Sequence, residues 1–254
     1  MAARKRPLLL GHRGARHAAP ENTFAAFNLA LEEGADGVEL DVRLNASGDV
    51  IVCHDLTLAR VTDGRDQRAL RELSTRDCNA IRLAQGERLP LLVDVLDWAE
   101  RQSACVNVEL KADGERRLRL VRAVARLTEA RADSENLLVS CFNPLVLQLH
   151  GLFAPSVPTA WLVDSPLLGR MPLLPHAGSA ALHPRESLIT PEALANWKRQ
   201  GFRVHAWTVN DPARARELAE IGVDCLITDQ PGAILQALAD TARTKPLANG
   251  AVAG

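Results

Sequence analysis

Residues 37–42 read Gly37-Val38-Glu39-Leu40-Asp41-Val42, an apolar run carrying two acids two positions apart. Side chains alternate between the two faces of a strand, so Glu39 and Asp41 point the same way while Val38, Leu40 and Val42 point the other. Two carboxylates on one buried face repel each other unless a cation lies between them, and a metal ion is the simplest such cation. A second run, Val106-Asn107-Val108-Glu109-Leu110-Lys111, carries a third acid with a lysine two positions on, again on one face.

Outward from these two runs the chain alternates short β-rich stretches with amphipathic helical ones. Strands are expected at 7–11, 37–43, 105–110, 136–141, 158–163, 179–182, 203–208 and 223–227. Helices are expected at 22–33 (Phe24, Phe27 and Leu31 on one face, Asn22 or Thr23 as N-cap), 92–102, 115–131, 144–152, 191–200, 212–221 and 231–240. A short strand at 50–53 is an excursion from this alternation. Eight strand–helix units suit an α/β (β/α)8 barrel better than a doubly wound sheet, and no Gly-x-Gly-x-x-Gly follows the first strand. One domain is expected over residues 1–241. Within it, a polar insertion or lid occupies about 56–90, residues 164–178 are proline-rich, and a loose tail follows at 242–254.

The 254 residues are 47% hydrophobic, enough for one large core, and the net charge of −1 gives no global bias toward nucleic acid or an anionic membrane. Anion binding must then come from a local site. The five cysteines are scattered with no C-x-x-C pair, which disfavours zinc and dithiol chemistry. Leu8–Leu10 is too short for a signal-peptide core, and no stretch reaches transmembrane length, so a cytoplasmic location without stable membrane association is expected.

In such a barrel, chemistry gathers at the C-terminal ends of the strands. The residues there are His12 and Arg13, Glu39 and Asp41, His54, Glu109 and Lys111, Phe142, Trp207 and Asp229. Asp229 is read as a cap for the helix starting near Pro231. His183 and His205 are given no catalytic role, and Arg116, Arg117 and Arg119 are read as a solvated helix face. Three carboxylates without cysteine or paired histidine make an oxygen-rich site for Mg2+ or Ca2+. A divalent ion with three carboxylates has a formal charge of about −1, which Arg13 and Lys111 bring to about +1, matched to a phosphodiester monoanion. His12 and His54 are the groups at the mouth suited to proton transfer near neutrality.

The ordered set His12-Arg13-Gly14, Pro20-Glu21-Asn22-Thr23, Glu39-Leu40-Asp41-Val42, His54-Asp55-x-Thr57-Leu58, Val108-Glu109-Leu110-Lys111 and Trp207-Thr208-Val209-Asn210 resembles the glycerophosphodiester phosphodiesterase family over roughly residues 7–238. The resemblance implies a metal-dependent TIM barrel that hydrolyses small-molecule glycerophosphodiesters to glycerol 3-phosphate and an alcohol. It implies acid/base roles for His12 and His54, metal ligation by Glu39, Asp41 and Glu109, phosphate contacts from Arg13 and Lys111, and a glycerol pocket lined by Trp207. Phe142 is a further candidate on the substrate side. The implied route uses the substrate's own glycerol hydroxyl and a cyclic phosphate, an intramolecular attack with a large proximity advantage. Two alternatives keep the same residues: a lysophospholipase D-like or sphingomyelinase D-like enzyme, and a barrel that binds a phosphorylated metabolite without catalysis. The polar insertion, with Asp63, Arg65, Asp66, Arg68 and Arg71, disfavours docking on a lipid surface.

Overall fold

The computed structural model describes residues 6–112, 116–131, 136–165 and 179–244. Of the tail expected at 242–254, residues 242–244 instead continue the last helix, while 245–254 and most of the proline-rich stretch lie outside the described residues. Eight parallel strands close into a barrel: β1 (Leu8–His12), β2 (Gly37–Leu44), β4 (Cys105–Leu110), β5 (Leu137–Cys141), β6 (Thr159–Val163), β7 (Ser179–Pro184), β8 (Arg203–Ala206) and β9 (Cys225–Thr228). Each pairs with the next, and β1 closes the ring by pairing with both β2 and β9. β3 (Val50–Val52) lies outside the ring, antiparallel to β2, so the excursion expected at 50–53 is an appendage.

The helices between these strands are α1 (Phe24–Glu32), α2 (Thr75–Ala80), α3 (Leu92–Gln102), α4 (Arg117–Glu129), α5 (Pro144–Phe153), α6 (Pro191–Arg199), α7 (Pro212–Glu220) and α8 (Pro231–Thr244). Three start with proline at the first turn behind an Asn, Thr or Asp cap, at Asn143, Thr190 and Asp211. Thr23 caps α1 by accepting from the Ala26 amide.

The main core lies between the barrel's outer surface and the helices. There Val38, Leu40 and Val42 of β2 meet Val106, Val108 and Leu110 of β4 under the helical layer. Burial of this continuous outward face is the main driving force for closure. The barrel interior is narrower, with Leu10, Cys225 and Ile227 forming a small apolar plug. Gly37 permits the closest strand approach, because a Cβ there would lie 1.9 Å from the Cys105 carbonyl oxygen.

Two sequence expectations need correction. The stretch read as polar and lid-like carries its own apolar cluster of Leu58, Leu70, Leu73, Cys78, Ile81, Leu83 and Leu89, seated on Ile51 and Cys53. Charged side chains cover it, so composition alone read as a loop. His183, expected just beyond its strand, lies inside β7 and stacks on His205 of β8 with ring centroids 4.6 Å apart. Both rings are buried, and no hydrogen-bond partner reaches any of their four nitrogens among the described residues.

Candidate active site

Strand register builds the site. In the parallel ladder His12 lies beside Glu39, Glu39 beside Asn107, and Asp41 beside Glu109. Neighbours in register face the same way, so these residues form two stacked polar layers at the C-terminal end of the barrel. One ligand oxygen from each of Glu39, Asp41 and Glu109 lies within 4.8 Å of the others, and all three residues are buried.

Arg13 and Lys111 supply the nearest positive charge. Arg13 Nε lies 3.0 Å from Asp41 Oδ2, and Lys111 Nζ lies 2.9 Å from Asp41 Oδ1 and 2.5 Å from Glu109 Oε1. Arg13 reaches this position through a left-handed backbone (φ 57°). Its amide donates to the Glu39 carbonyl at 2.9 Å and to Glu39 Oε2 at 3.1 Å. The turn is possible because Gly14 follows at φ 83°, packed so tightly that a Cβ would lie 2.5 Å from the Ala26 backbone. Asn22 Nδ2 donates to Asp41 Oδ2 at 3.0 Å.

Three acids against two cations leave the cluster short of positive charge, and the protonation equilibria reflect this. Burial, then Asp41 and Glu109, push the Glu39 carboxyl well above the ordinary carboxylate range. Burial and Asp41 push Glu109 up to about 7, against Lys111. Burial would raise Asp41 too, but Lys111 and Arg13 override it and hold Asp41 at about 2. Asp41 Oδ1 is buried with no aligned hydrogen bond despite the nearby ammonium. Three buried carboxylates, two of which tend to stay protonated, fit a hard divalent cation, with three oxygen donors available.

The two histidines flank this cluster, and each is held by a carboxylate. His12 Nδ1 is 2.7 Å from Asp229 Oδ1, and its Nε2 faces Glu39 at 4.0 Å. His54 Nδ1 is 2.6 Å from Asp55 Oδ1. An ionised carboxylate only accepts, so the Nδ1 proton belongs to the imidazole and Nε2 is the exchangeable nitrogen in both. Burial lowers the His54 pKa, against Asp41 and Asp55. Asp229 is therefore not the helix cap expected from sequence: its two oxygens serve His12, Arg16 and Asn210.

A cavity of about 150 Å3 joins these groups and is lined by His12, Arg13, Glu39, His54, Glu109, Lys111, Phe142 and Trp207, among others. All the sequence candidates except Asp41 line it, and Asp41 lies directly behind, held by Arg13 and Lys111. Phe142 and Trp207 meet edge to face with centroids 5.5 Å apart, and Trp207 Nε1 donates to the His183 carbonyl at 2.7 Å. Sequence reasoning gave no role to Arg60. It bridges Glu21 (2.7 and 2.8 Å) and Asp55 (2.6 Å), and Glu21 also accepts from Arg13 at 3.0 Å. Glu21 and Asp55 were legible only as members of motifs, Asn22 as a motif member and as a candidate N-cap whose place Thr23 takes, and Arg60 carried no signal at all.

The parallel barrel brings a buried acid triad, two cations and two anchored histidines into one cavity, an arrangement suited to a phosphodiester monoanion. Comparison with known proteins narrows the reading. The sequence profile described as the Glycerophosphoryl diester phosphodiesterase family matches residues 12–233. A glycerophosphodiester phosphodiesterase from Caldanaerobacter subterraneus subsp. tengcongensis is 30% identical over 234 residues, 90% of this chain and 96% of that protein. A phosphodiesterase from Oleispira antarctica, solved in complex with the product sn-glycerol-3-phosphate, superposes with a TM-score of 0.83 at 26% identity, covering 92% of this chain and 97% of that one. A glycerophosphodiester phosphodiesterase from Agrobacterium tumefaciens gives a TM-score of 0.78 at 26% identity, with 92% and 99% covered. The chain belongs to the glycerophosphoryl diester phosphodiesterase family, and it is an enzyme of that activity. No helix among the described residues is long and apolar enough to cross a membrane.

Proposed function

We propose that the chain hydrolyses glycerophosphodiesters to glycerol 3-phosphate and an alcohol, with a divalent metal ion and the His12/His54 pair. The observation that carries this reading is the joining of three buried acids, two cations and two carboxylate-held histidines in one small cavity. Glu39, Asp41 and Glu109 would hold Mg2+ or Ca2+, and the bound ion would polarise the phosphoryl oxygens and offset charge in the transition state.

Arg13 and Lys111 release part of their hold on the acids and turn to the non-bridging phosphoryl oxygens. The Phe142–Trp207 edge packs against the apolar face of the glycerol. His12 takes the proton from the glycerol 2-hydroxyl as its oxygen attacks phosphorus. His54 gives its proton to the departing alkoxide. A cyclic phosphate remains. The now neutral His54 activates water at the vacated position, and the His12 imidazolium returns a proton to the glycerol oxygen, so both residues end as they began. The route needs no serine or cysteine nucleophile, and the five cysteines are free. Those free thiols also favour a reducing, cytoplasmic setting.

The test compares glycerophosphocholine with lysophosphatidylcholine, with added Mg2+ or Ca2+ and after chelation, following glycerol 3-phosphate release. The expected result is faster turnover of glycerophosphocholine that is lost on chelation and restored by metal. Faster turnover of the lipid, or turnover indifferent to chelation, overturns the reading.

A further inference from the structure

Arg60 is not among the residues lining the catalytic cavity, yet its guanidinium ties together two of the groups that are. It stands on the appended region beside Leu58, which is fully buried, and the Gly64 amide donates to the Ala59 carbonyl at 2.7 Å, a turn that holds the backbone around it. From there Arg60 Nε donates to Asp55 Oδ2 at 2.6 Å, while Nη1 and Nη2 donate to Glu21 Oε2 and Oε1 at 2.7 and 2.8 Å. A guanidinium is planar with its donors in fixed directions, so this one group sets two carboxylates relative to each other.

Each carboxylate passes the constraint on to the site. Asp55 gives Oδ2 to Arg60 and Oδ1 to His54 Nδ1 at 2.6 Å. Fixing one oxygen of Asp55 aims the other, and with it the imidazole plane and the exchangeable Nε2 of His54. Glu21 Oε1 accepts from Arg60 and also from Arg13 Nη1 at 3.0 Å, so it steadies the part of Arg13 that Asp41, on Nε, does not hold. The charge states agree. Burial would raise both acids, but Arg60 and then His54 hold Asp55 at about 2, and Arg60 with Arg13 holds Glu21 below the ordinary carboxylate range. Arg16 is 3.6 Å from Glu21, too far for a hydrogen bond, so it supplies charge there but no direction.

We propose that Arg60 is a positioning residue for the phosphodiesterase reaction: through Asp55 it orients His54 for proton transfer, and through Glu21 it aims Arg13 at the phosphoryl group. This rests on the roles proposed above for His54 and Arg13. The simpler role for Arg60 is to staple the appended region to the barrel, and the two roles differ in kinetics. A region that only opens and closes lowers the competent fraction of free enzyme and raises KM, but saturating substrate refills the closed state and kcat is kept. A turned imidazole loses kcat, because its misplacement persists in the bound complex.

The test measures kcat and KM for glycerophosphocholine, with metal, in Arg60→Ala and Arg60→Lys, with and without sucrose, while hydrogen exchange at 56–90 reports closure. Sucrose favours the closed state. Lysine keeps the charge without the planar fork, and it keeps the test available where Arg60→Ala unfolds. The expected result is a kcat lowered about tenfold or more in both variants at saturating substrate, with KM raised as well. Sucrose should restore protection at 56–90 but not kcat. Asp55→Asn should lower kcat about as much as Arg60→Ala does, and should take little more from it on the Arg60→Ala background. A raised KM with kcat kept, full recovery in sucrose, an Arg60→Lys enzyme as active as the parent, or losses from Asp55→Asn and Arg60→Ala that add in full each overturn the positioning role and leave the phosphodiesterase reading standing. A parent enzyme that releases no glycerol 3-phosphate overturns that reading and the positioning role with it.

Discussion

Replacing Glu39 with glutamine separates its cost to the metal-free protein from its value to the metal-bound one. The ligand oxygens of Glu39, Asp41 and Glu109 lie within 4.8 Å of one another. Two unit charges at that distance repel by about 3.5 kcal/mol at an effective dielectric of about 20. The metal-free protein evades this by favouring the protonated form of Glu39, which burial and the two neighbouring acids both promote. A glutamine amide is a close stand-in for a protonated carboxyl, so Glu39→Gln should melt within about 1 kcal/mol of the parent in chelator. With metal the comparison reverses, because the ion must replace the proton and a neutral amide offers no charge to it. Losing one carboxylate should cost about 3 kcal/mol of binding, roughly a hundredfold in Kd. At a metal concentration about a hundred times the parent Kd, the parent gains about 2.7 kcal/mol of stability and the variant only about 0.4. Thermal unfolding with and without chelator, alongside calorimetric titration with Mg2+ and Ca2+, reads both arms. An unchanged Kd would remove Glu39 from the ligand set. A large drop in chelator-state stability would mean that Glu39 is ionised and structurally paired in the metal-free fold.

Other expectations follow from the same geometry. His12→Ala should abolish turnover with metal affinity retained, and Asp229→Asn should cost about a hundredfold or more by disturbing the imidazole orientation; weakened metal binding in His12→Ala would instead mark it as a ligand. Burial holds His205 neutral with its pKa lowered to about 4, and His183 is lowered by burial and by His205. A depressed folded-state value gives stability that is fully present above the unfolded value of about 6.5 and is lost as pH falls toward about 4, so His205 alone should cost about 3 kcal/mol across that window. His205→Leu should flatten that part of the stability–pH curve, and an unchanged slope would refute the assignment. Gly14→Ala should destabilise by about 3 kcal/mol, since the residue needs φ 83° and has no room for a Cβ; a Tm within a degree of the parent would show that the turn can relax.

The barrel was legible because its strands are largely apolar runs spaced by amphipathic helical stretches. Strand 105–110 and helix 92–102 were expected with the bounds the structure has. The acid triad was legible for the same reason: an acid in an apolar strand is costly, and the pleat dictates which acids share a face. What escaped was set by distance along the chain. Asp229 meets His12 across 217 positions because β9 closes on β1. Arg60 meets Glu21 across 39. The small core of the appended region escaped because Leu58, Leu70, Leu73, Ile81, Leu83 and Leu89 follow neither a helical nor a strand period. Arg116 and Arg117, read as a solvated helix face, line a cavity beside the appended region: α4 begins two residues later than expected, and Arg116 just before it meets the Arg71 carbonyl.

The Arg60 bridge has a consequence for how the enzyme fails. Arg60 belongs to a region with its own apolar cluster, yet it grips Glu21 and Asp55, which in turn hold Arg13 and His54. The geometry of the candidate site is thus shared between two packing units of unequal size, and the smaller can open first. Under mild denaturant, activity should vanish while the barrel's far-ultraviolet signal is still intact. Hydrogen exchange at residues 56–90 should track that loss rather than global melting, which makes the small unit a fuse wired in series with the site.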